Sequence, residues 1–303
     1  MKTTFVILHF LSYEDTCECI DSILNCKFDT DHEILVIDNG SKNGSGEKIK
    51  AKYNYCPNIE VLILNKNLGF AKGNNVGFDY AKNKLNSNFI ILLNNDIIIK
   101  QKDFIHNLYH KYDEQKFHVL GPNIISLKDG LHQNPQKITP ITKKEVQRLI
   151  FKYSIYQILN RLNIETPILN LYRSLKYFLS TDDTEKNRKN LWLTELEDVQ
   201  LHGSCLIFSP DYISKYKGIY SKTFLYMEED ILFYIARKEN IRMLYTPELE
   251  VFHKEDSSTD KLCRSERDKR FFIYKHTKNS ARELTKIMKD EDLYKKDIID
   301  NYY

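Results

Sequence analysis

Residues 89–100 read FIILLNNDIIIK, and this stretch indicates the class of fold. Five large apolar residues are followed by Asn94, Asn95 and Asp96, after which three isoleucines resume the apolar pattern. Such a run is typical of a buried strand in a parallel sheet. Its carboxyl end lies at the edge where open α/β sheets bind ligands, so Asp96 is the first candidate to contact a metal ion or a phosphate. The alternative is an ordinary turn between two strands, because Asn and Asp are common turn residues.

Strands and helices alternate around this stretch. We predict strands at residues 4–8, 33–37, 60–64 and 89–93, and helices at 12–26, 47–53, 70–84 and 103–112. The alternation favours a doubly wound, mostly parallel α/β sheet. The pattern returns with a strand at 205–208, a turn and helix within 223–237, and short strands at 242–245 and 249–252. We therefore expect one domain over residues 1–253, interrupted by a basic helical insertion at 140–195 and followed by a helical C-terminal extension at 254–303.

The composition describes a soluble protein of 303 residues with 42% hydrophobic residues and a net charge of +3. A charge so near balance gives no global basic field that would attract nucleic acid. No run of 18 apolar residues exists, and the N-terminal apolar run is too short for a secretory signal, so we expect a cytoplasmic protein. The six cysteines form no C-x-x-C pair, which argues against a zinc site or a redox dithiol and suits free thiols.

Residues 143–179 combine basic and apolar side chains at helical spacing. The cations are Lys143, Lys144, Arg148, Lys152, Arg161, Arg173 and Lys176. Within one arc of the predicted helix lie Phe151, Ile155, Ile158, Leu159 and Leu162. The pattern predicts either a segment that contacts an anionic membrane surface or an insertion that packs on the sheet and leaves its lysines in water.

Two polar clusters follow predicted strands and could contact a nucleotide. Residues 38–41, DNGS, place a carboxylate and backbone N–H groups beyond the second strand, although they also suit a helix N-cap. Residues 65–77, NKNLGFAKGNNVG, carry three glycines at a spacing of four, which allows a ligand or another backbone to come close. Tight packing of a helix on the sheet is the alternative for the glycines. Neither cluster is a G-x-G-x-x-G or a P-loop motif.

A third cluster, Glu228, Glu229 and Asp230, is acidic. Adjacent carboxylates repel one another, which tends to raise a pKa and favours a general base. The alternative is the negative first turn of a helix, which the helix dipole stabilises. His253, at a predicted strand end, is either a ligand or a satisfied core histidine.

Together these segments resemble inverting glycosyltransferases of family 2 with the GT-A, Rossmann-like fold. The resemblance extends over residues 3–253 and is carried, in order, by VILHFLSYEDT, VIDNGS, NKNLGFAKGNN, LLNNDIII, GSCLIF, FLYMEED and VFH. It is nearest to the bacterial rhamnosyltransferase-like enzymes of capsule and O-antigen synthesis. The fold it implies is a doubly wound, mostly parallel sheet with a helical insertion and a helical C-terminal tail.

The resemblance also implies roles for individual residues. The residues implied to bind a nucleotide-diphosphate sugar are Leu8, His9, Phe10, Asp38, Asn39, Asn67, Gly69, Asn74, Asn94, Asn95, Asp96, Gly203 and Ser204. The implied ligands of Mg²⁺ or Mn²⁺ are Asp96 and His253. The implied catalytic base is Glu229, with Asp230 as the alternative in a shifted turn and Glu228 beside them.

Three departures from the family pattern qualify these roles. Asn94 replaces the first acid of the D-x-D motif, so metal binding would depend on the donor phosphates. His9 stands where the family more often has Asn, and Glu228-Glu229 replaces the usual Glu-Asp.

The reaction implied is direct displacement at the anomeric carbon, with inversion. The donor would be dTDP-rhamnose or a UDP-sugar, and the acceptor a saccharide hydroxyl, on a polyprenyl diphosphate lipid at the inner membrane leaflet. Two alternatives remain open at this stage. One is a nucleotidyltransferase acting on sugar phosphates, although residues 11–15 lack its Gly-rich loop and following cation. The other is a non-catalytic protein of polysaccharide assembly.

Overall fold

The computed structural model describes residues 1–166, 190–255 and 265–300, whose centre is a nine-stranded sheet. The strands are β1 Thr3–His9, β2 His32–Asp38, β3 Ile59–Ile63, β4 Phe89–Asn94, β5 Ile97–Ile98, β6 Val119–Ser126, β7 Leu196–Glu197, β8 Cys205–Phe208 and β9 Met243–His253. The helices of the described residues are α1 Tyr13–Cys26, α2 Ser45–Lys52, α3 Phe70–Asn83, α4 Phe104–Glu114, α5 Lys143–Arg161, α6 Pro210–Lys215, α7 Glu228–Glu239, α8 Glu266–Ile287 and α9 Asp292–Ile298.

The sheet has a parallel half and a mixed half. Its order is β3-β2-β1-β4-β8-β6-β9-β5, with β7 beside β9. The strands β3, β2, β1 and β4 are parallel, as the alternation of elements predicts, so their carboxyl ends share one edge. Beyond them β8 is antiparallel to both β4 and β6, while β6 and β9 are again parallel. The predicted α/β fold is confirmed, and the site described below lies at the shared edge.

Helices cover both faces of the sheet, as a doubly wound architecture requires. Side chains of β1 alternate between the faces: Phe5 and Ile7 pack with α1, α2 and α4, whereas Val6 packs with α3. The second face also buries α6, α7, α8 and α9, among them Tyr294 of α9. The C-terminal helices therefore contribute to the same core as the sheet.

The two-residue strands β5 and β7 were not predicted, and two longer strands also differ from the prediction. β6 was not predicted, because Gly121 and Pro122 interrupt its apolar run. The two short strands predicted at 242–245 and 249–252 are one strand, β9. Its register against β6 shifts where Pro122 pairs with Thr246 and Asn123 pairs with Glu250. Because this irregularity places polar residues inside a continuous strand, the apolar pattern of the sequence is interrupted there. The sequence therefore suggests two strands where the structure has one.

Close packing explains two of the three spaced glycines. A Cβ on Gly77 would lie 2.2 Å from Cγ1 of Val6, and one on Gly73 would lie 2.7 Å from Cδ1 of Leu8. The helix α3 can thus approach β1 only because these positions lack side chains. Gly69 is different, since it precedes α3 at φ +86° and abuts the carbonyl oxygen of Phe224.

Within the described residues, the insertion packs on α8 through α5 and the residues just after it. Glu165 accepts hydrogen bonds from the Tyr274 hydroxyl and from Asn160 Nδ2, the latter at 2.7 Å, and pairs with Arg270 at 3.2 Å. Of the predicted cations, Arg173 and Lys176 lie outside the described residues. No described helix has the length and apolarity needed to cross a bilayer. The five cysteines of the described residues are free thiols.

Candidate active site

A cavity of about 410 Å³ opens at the shared edge of β1, β2 and β4. It is lined by Leu8, Phe10, Asn39, Asn67, Gly69, Phe70, Asn94, Asn95, Asp96, Gln133, His202, Phe224, Leu225, Tyr226, His253, Glu255 and Phe272. Nine of these are residues that the sequence singles out for donor or metal binding: Leu8, Phe10, Asn39, Asn67, Gly69, Asn94, Asn95, Asp96 and His253. The structure thus gathers clusters that are up to 245 residues apart along the chain (253 − 8) into one cavity.

Asparagine side chains fix the loop that forms one wall of this first cavity. Asn39 accepts a hydrogen bond from Leu68 N at 2.9 Å and donates to the Gly69 carbonyl at 3.0 Å. Asn67 accepts from Gly69 N at 2.8 Å. Phe70 N in turn donates to the carbonyl of Phe224 at 2.7 Å. These bonds hold the start of α3 against the loop before α7, and they therefore fix the distance between these two parts of the cavity wall.

The opposite wall contains the predicted metal ligands. Nε2 of His253 lies 3.3 Å from Oδ2 of Asp96, and both side chains are nearly buried. Gln133 Oε1 is 2.8 Å from Nδ1 of His253 and can only accept, so Nδ1 carries a proton. The second imidazole nitrogen therefore faces a carboxylate oxygen. Asn95, beside them, donates to Thr16 Oγ1 at 3.0 Å and is held toward α1.

This pair fits a divalent cation in part. An imidazole nitrogen and a carboxylate oxygen are donors that Mn²⁺ and Mg²⁺ accept in proteins. In the described residues, no group of three or more His, Cys, Asp or Glu side chains converges in a way that could hold a metal ion. Asp96 and His253 would therefore supply only part of a coordination shell and leave positions for the oxygens of a ligand.

A second cavity, of about 510 Å³, adjoins the first and shares Gln133 and His202 with it. Its other lining residues are His132, Asn134, Pro135, Gln136, Lys137, Leu191, Trp192, Gln200, Glu229 and Asp230. Burial lowers the pKa of His202 to about 4, with a contribution from His253, so the imidazole between the cavities is neutral at pH 7. Two predicted carboxylates thus face a different cavity from Asp96.

Glu229 is the better placed of these two carboxylates to act as a base. Its Oε1 accepts from Gly203 N at 3.2 Å, and a Cβ on residue 203 would lie 2.7 Å from that oxygen. Burial raises the pKa of Glu229, and the charge of Asp230 raises it further. Asp230 is itself paired with Lys137 at 2.6 Å. The sequence predicted a raised pKa from mutual repulsion, but burial is the larger cause.

Glu228 lines neither cavity. It is buried behind Glu229 and accepts a hydrogen bond from Thr223 Oγ1 at 2.9 Å. Burial, with the charge of Glu229, raises its pKa to about 8. The preceding Tyr226 and Met227 have φ of +70° and +68°, a left-handed conformation that costs on the order of 1–3 kcal/mol per residue. This strained turn directs Glu229 and Asp230 toward the second cavity and Glu228 into the core.

Five predicted donor-binding residues support the first cavity without lining it. His9 is fully buried between Thr16 Oγ1 at 2.6 Å and Ser45 Oγ at 2.7 Å. Asp38 is also fully buried and accepts from Ser41 N at 2.9 Å, while its Oδ2 has no hydrogen-bond partner among the described residues. Burial raises the pKa of Asp38. The remaining three are Asn74, Gly203 and Ser204. Their contact with a ligand stays a prediction.

The structure also adds residues that the sequence did not single out. His202 and Gln133 join the two cavities, and Phe272 of α8 completes an aromatic wall with Phe70, Phe224 and Tyr226. Phe272 lies beyond the region of family resemblance, and Gln133 lies in a segment with no predicted element. Of His202, Gln133 and Phe272, only His202 adjoins residues that the sequence named, Gly203 and Ser204.

Comparisons with known proteins bear on the family and the fold of this chain. Residues 4–178 match the model of Glycosyl transferase family 2. The low-salt glycan biosynthesis hexosyltransferase Agl10 of Haloferax volcanii is 22% identical over 254 residues, which cover 83% of this chain and 67% of that protein. A crystal structure of S. aureus TarS 1–349 superposes with a TM-score of 0.51 at 16% identity, covering 84% of this chain and 60% of TarS 1–349. Its complex with UDP gives 0.51 at 17%, covering 86% and 62%. This chain therefore spans less than two thirds of those TarS structures.

The family match and the fold together define the class of protein, a glycosyltransferase of GT-A architecture. Since the family model covers more than half of the sequence, the chain belongs to glycosyltransferase family 2. This assignment favours a sugar-transferring enzyme over the nucleotidyltransferase and the non-catalytic protein that the sequence left open.

Proposed function

We propose that this enzyme transfers a hexose, with inversion, from a nucleotide-diphosphate sugar to a hydroxyl of a saccharide acceptor. One observation carries the proposal: the Asp96–His253 pair and Glu229 face two different cavities that meet at His202 and Gln133. A nucleophile activated in the second cavity would attack the anomeric carbon from the side opposite to a leaving group held in the first cavity. Such in-line geometry inverts the configuration.

The first cavity suits the donor. Its aromatic wall offers faces for a nucleotide base, and the asparagine-fixed loop before α3 offers polar groups for ribose. Asp96 and His253 would hold Mg²⁺ or Mn²⁺, which when bound neutralises charge on the diphosphate. UDP binds the related TarS structure, which supports a UDP-sugar, and the rhamnosyltransferase-like motifs support dTDP-rhamnose.

The second cavity suits the acceptor. Gln200 and Gln136 both line it, and Gln200 Nε2 donates to Gln136 Oε1 at 3.0 Å, so amide groups are available there for saccharide hydroxyls. Glu229 would take the proton of the attacking hydroxyl, an effect typically worth about 10²–10⁴-fold. Asp230, neutralised in part by Lys137, is less suited to hold that proton.

Replacement of the acids tests this mechanism. We expect Glu229→Gln to lower the turnover of transfer by at least 100-fold, and Asp230→Asn by less. Glu266→Gln, at an exposed position of α8, is the matched control and should keep full activity. If neither Glu229→Gln nor Asp230→Asn lowers turnover tenfold, the assignment of the base is wrong.

Thermal shifts with Mn²⁺ and a panel of UDP- and dTDP-sugars would identify the donor.

The acceptor in this proposal is lipid-linked, as in capsule or O-antigen assembly, and the enzyme contacts the inner leaflet from the cytoplasm. The support is a solvent-exposed apolar stripe formed by Phe151, Ile155 and Ile158 of α5 and by Leu162 directly after it, of which Phe151 is 69% exposed and Leu162 is 62% exposed. Near it are the exposed cations Lys143, Lys144, Arg148 and Lys152. Basic residues near an anionic leaflet contribute about 1 kcal/mol each.

Liposome flotation tests the membrane contact. The intact chain should float with vesicles that contain anionic lipid, whereas a variant with Phe151, Ile155 and Ile158 changed to Ser should remain at the bottom. Neutralising Lys143, Lys144, Arg148 and Lys152 should have the same effect at physiological salt. Equal flotation of all three proteins would exclude α5 as the contact.

A further inference from the structure

A basic groove of about 500 Å³ lies between α5 and the segment before it. Its cations are Lys137, Arg148 and Lys152, and its apolar lining includes Pro140, Ile141 and Leu149. Arg148, Leu149 and Lys152 follow the i, i+1, i+4 spacing that places them on one side of a helix. The groove therefore combines a cationic rim with an apolar floor.

The cations on α5 are available to a ligand. Among the described residues, no carboxylate lies within ion-pair distance of Arg148, and Lys152 contacts only the rings of Tyr153 and Tyr156, at 5.5 and 5.4 Å. The carboxylate in the groove wall, Glu145, is engaged by Thr142 N at 2.8 Å and Thr142 Oγ1 at 2.6 Å in a capping box. The groove thus has a net positive charge, and its two cations on α5 form no ion pair within the described residues.

Lys137 joins this groove to the second cavity, because it lines both. Its Nζ lies 2.6 Å from Oδ1 of Asp230, next to Glu229. A molecule that places a hydroxyl beside Glu229 and extends past Lys137 would reach the groove. The groove then runs along α5, the helix whose apolar stripe is exposed.

We propose that the basic groove binds the phosphate group that links the acceptor saccharide to an isoprenoid carrier. This inference rests on the proposed function and assigns a binding site to the isoprenyl diphosphate of its lipid-linked acceptor. Arg148 and Lys152 would pair with phosphate oxygens, because guanidinium and ammonium groups recognise phosphate by charge-assisted hydrogen bonds. Ile141 and Leu149 would contact the first isoprene units.

Calorimetric titration with three probes tests the groove directly. Farnesyl diphosphate carries the phosphates and the chain, inorganic pyrophosphate carries the phosphates alone, and farnesol carries the chain alone. We expect farnesyl diphosphate to bind most tightly, pyrophosphate at least threefold more weakly, and farnesol without detectable heat. Arg148→Gln/Lys152→Gln should weaken farnesyl diphosphate at least tenfold, whereas Arg148→Lys/Lys152→Arg should restore most of the affinity. The matched control, Lys50→Gln/Lys84→Gln, removes two exposed charges elsewhere and should bind as the wild type does.

Unchanged affinity in Arg148→Gln/Lys152→Gln, or farnesol binding as tightly as farnesyl diphosphate, would overturn the groove assignment. If pyrophosphate binds as tightly as farnesyl diphosphate, the groove recognises free phosphate rather than a lipid-linked one. This result would also refute the isoprenoid carrier. If the wild type transfers hexose but Arg148→Gln/Lys152→Gln binds farnesyl diphosphate with unchanged affinity, the groove assignment is rejected and the proposed function is retained. Titrations as expected, without donor binding or transfer to any saccharide, would reject the proposed function instead.

Discussion

Glu229 lies between two groups that move its pKa in opposite directions. The charge of Asp230 raises this pKa beyond the effect of burial, and the charge of Lys137 lowers it. Because Lys137 and Asp230 are themselves paired at 2.6 Å, removing either one changes the field at the base in a defined sense. The three side chains therefore form a small electrostatic unit that contains the proposed base.

The pH profile of kcat/KM should report this unit. A base must be deprotonated, so activity falls as the pH decreases through the pKa of Glu229. Asp230→Asn removes a negative charge and should move the acidic limb to lower pH. Lys137→Gln removes a positive charge and should move it to higher pH. Shifts of the same sign in the two variants would contradict Glu229 as the titrating base.

At the scale of the element, the start of α7 combines a strained turn with a buried acid. Tyr226 and Met227 adopt left-handed conformations, and Glu228 is buried with its pKa raised to about 8. An unfolded glutamate titrates near 4.3, so between these values the folded state binds more protons than the unfolded state. The free energy of unfolding should therefore decrease as the pH rises through this interval.

Replacement of Glu228 by Gln should relieve this penalty. The amide oxygen can still accept from Thr223 Oγ1, but no charge needs to be buried. We expect Glu228→Gln to raise Tm by at least about 2 °C at pH 8 and to change it little at pH 4. Scanning calorimetry at both pH values would measure the difference. A lower Tm for the variant at pH 8 would show that the charged form of Glu228 is stabilised in the fold.

Apolar runs predicted most elements, because β1, β2, β4 and β8 are buried on both faces and contain few polar residues. They could not predict β6, whose Gly121 and Pro122 interrupt the pattern, or the continuity of β9. The predicted site residues that line a cavity follow strands or begin a helix. His202, Gln133 and Phe272 are brought together only by the tertiary fold, and no local pattern encodes that convergence.

At the scale of the whole molecule, one buried carboxylate joins the insertion to the C-terminal extension. Glu165 binds Tyr274 and Arg270 of α8 as well as Asn160 of α5. Despite its burial, these hydrogen bonds hold the pKa of Glu165 below the usual range. The charged form therefore stabilises the fold at neutral pH, and this contribution is lost as the pH falls through the lowered value.

Glu165→Gln should destabilise the protein by about 1–3 kcal/mol at pH 7, because hydrogen bonds to a charged group are lost. The deficit relative to wild type should shrink in acid, where the wild-type carboxyl is protonated as well. Urea denaturation at neutral and acid pH measures both values, with Glu266→Gln as the exposed control on α8. Hydrogen exchange of α5 should also accelerate in the variant. Identical exchange rates would show that other contacts hold α5 in place.

The sequence contains a single tryptophan, Trp192, and it stands in the wall of the second cavity. Its indole stacks on the imidazole of His132 with ring centroids 3.6 Å apart and planes 4° from parallel. Indole fluorescence from the unlabelled protein therefore originates at one place, in the wall of the cavity that Glu229 also lines. Quenching or blue shift of that emission gives a direct isotherm for sugars entering from the acceptor side, before any nucleotide is added and without a single turnover.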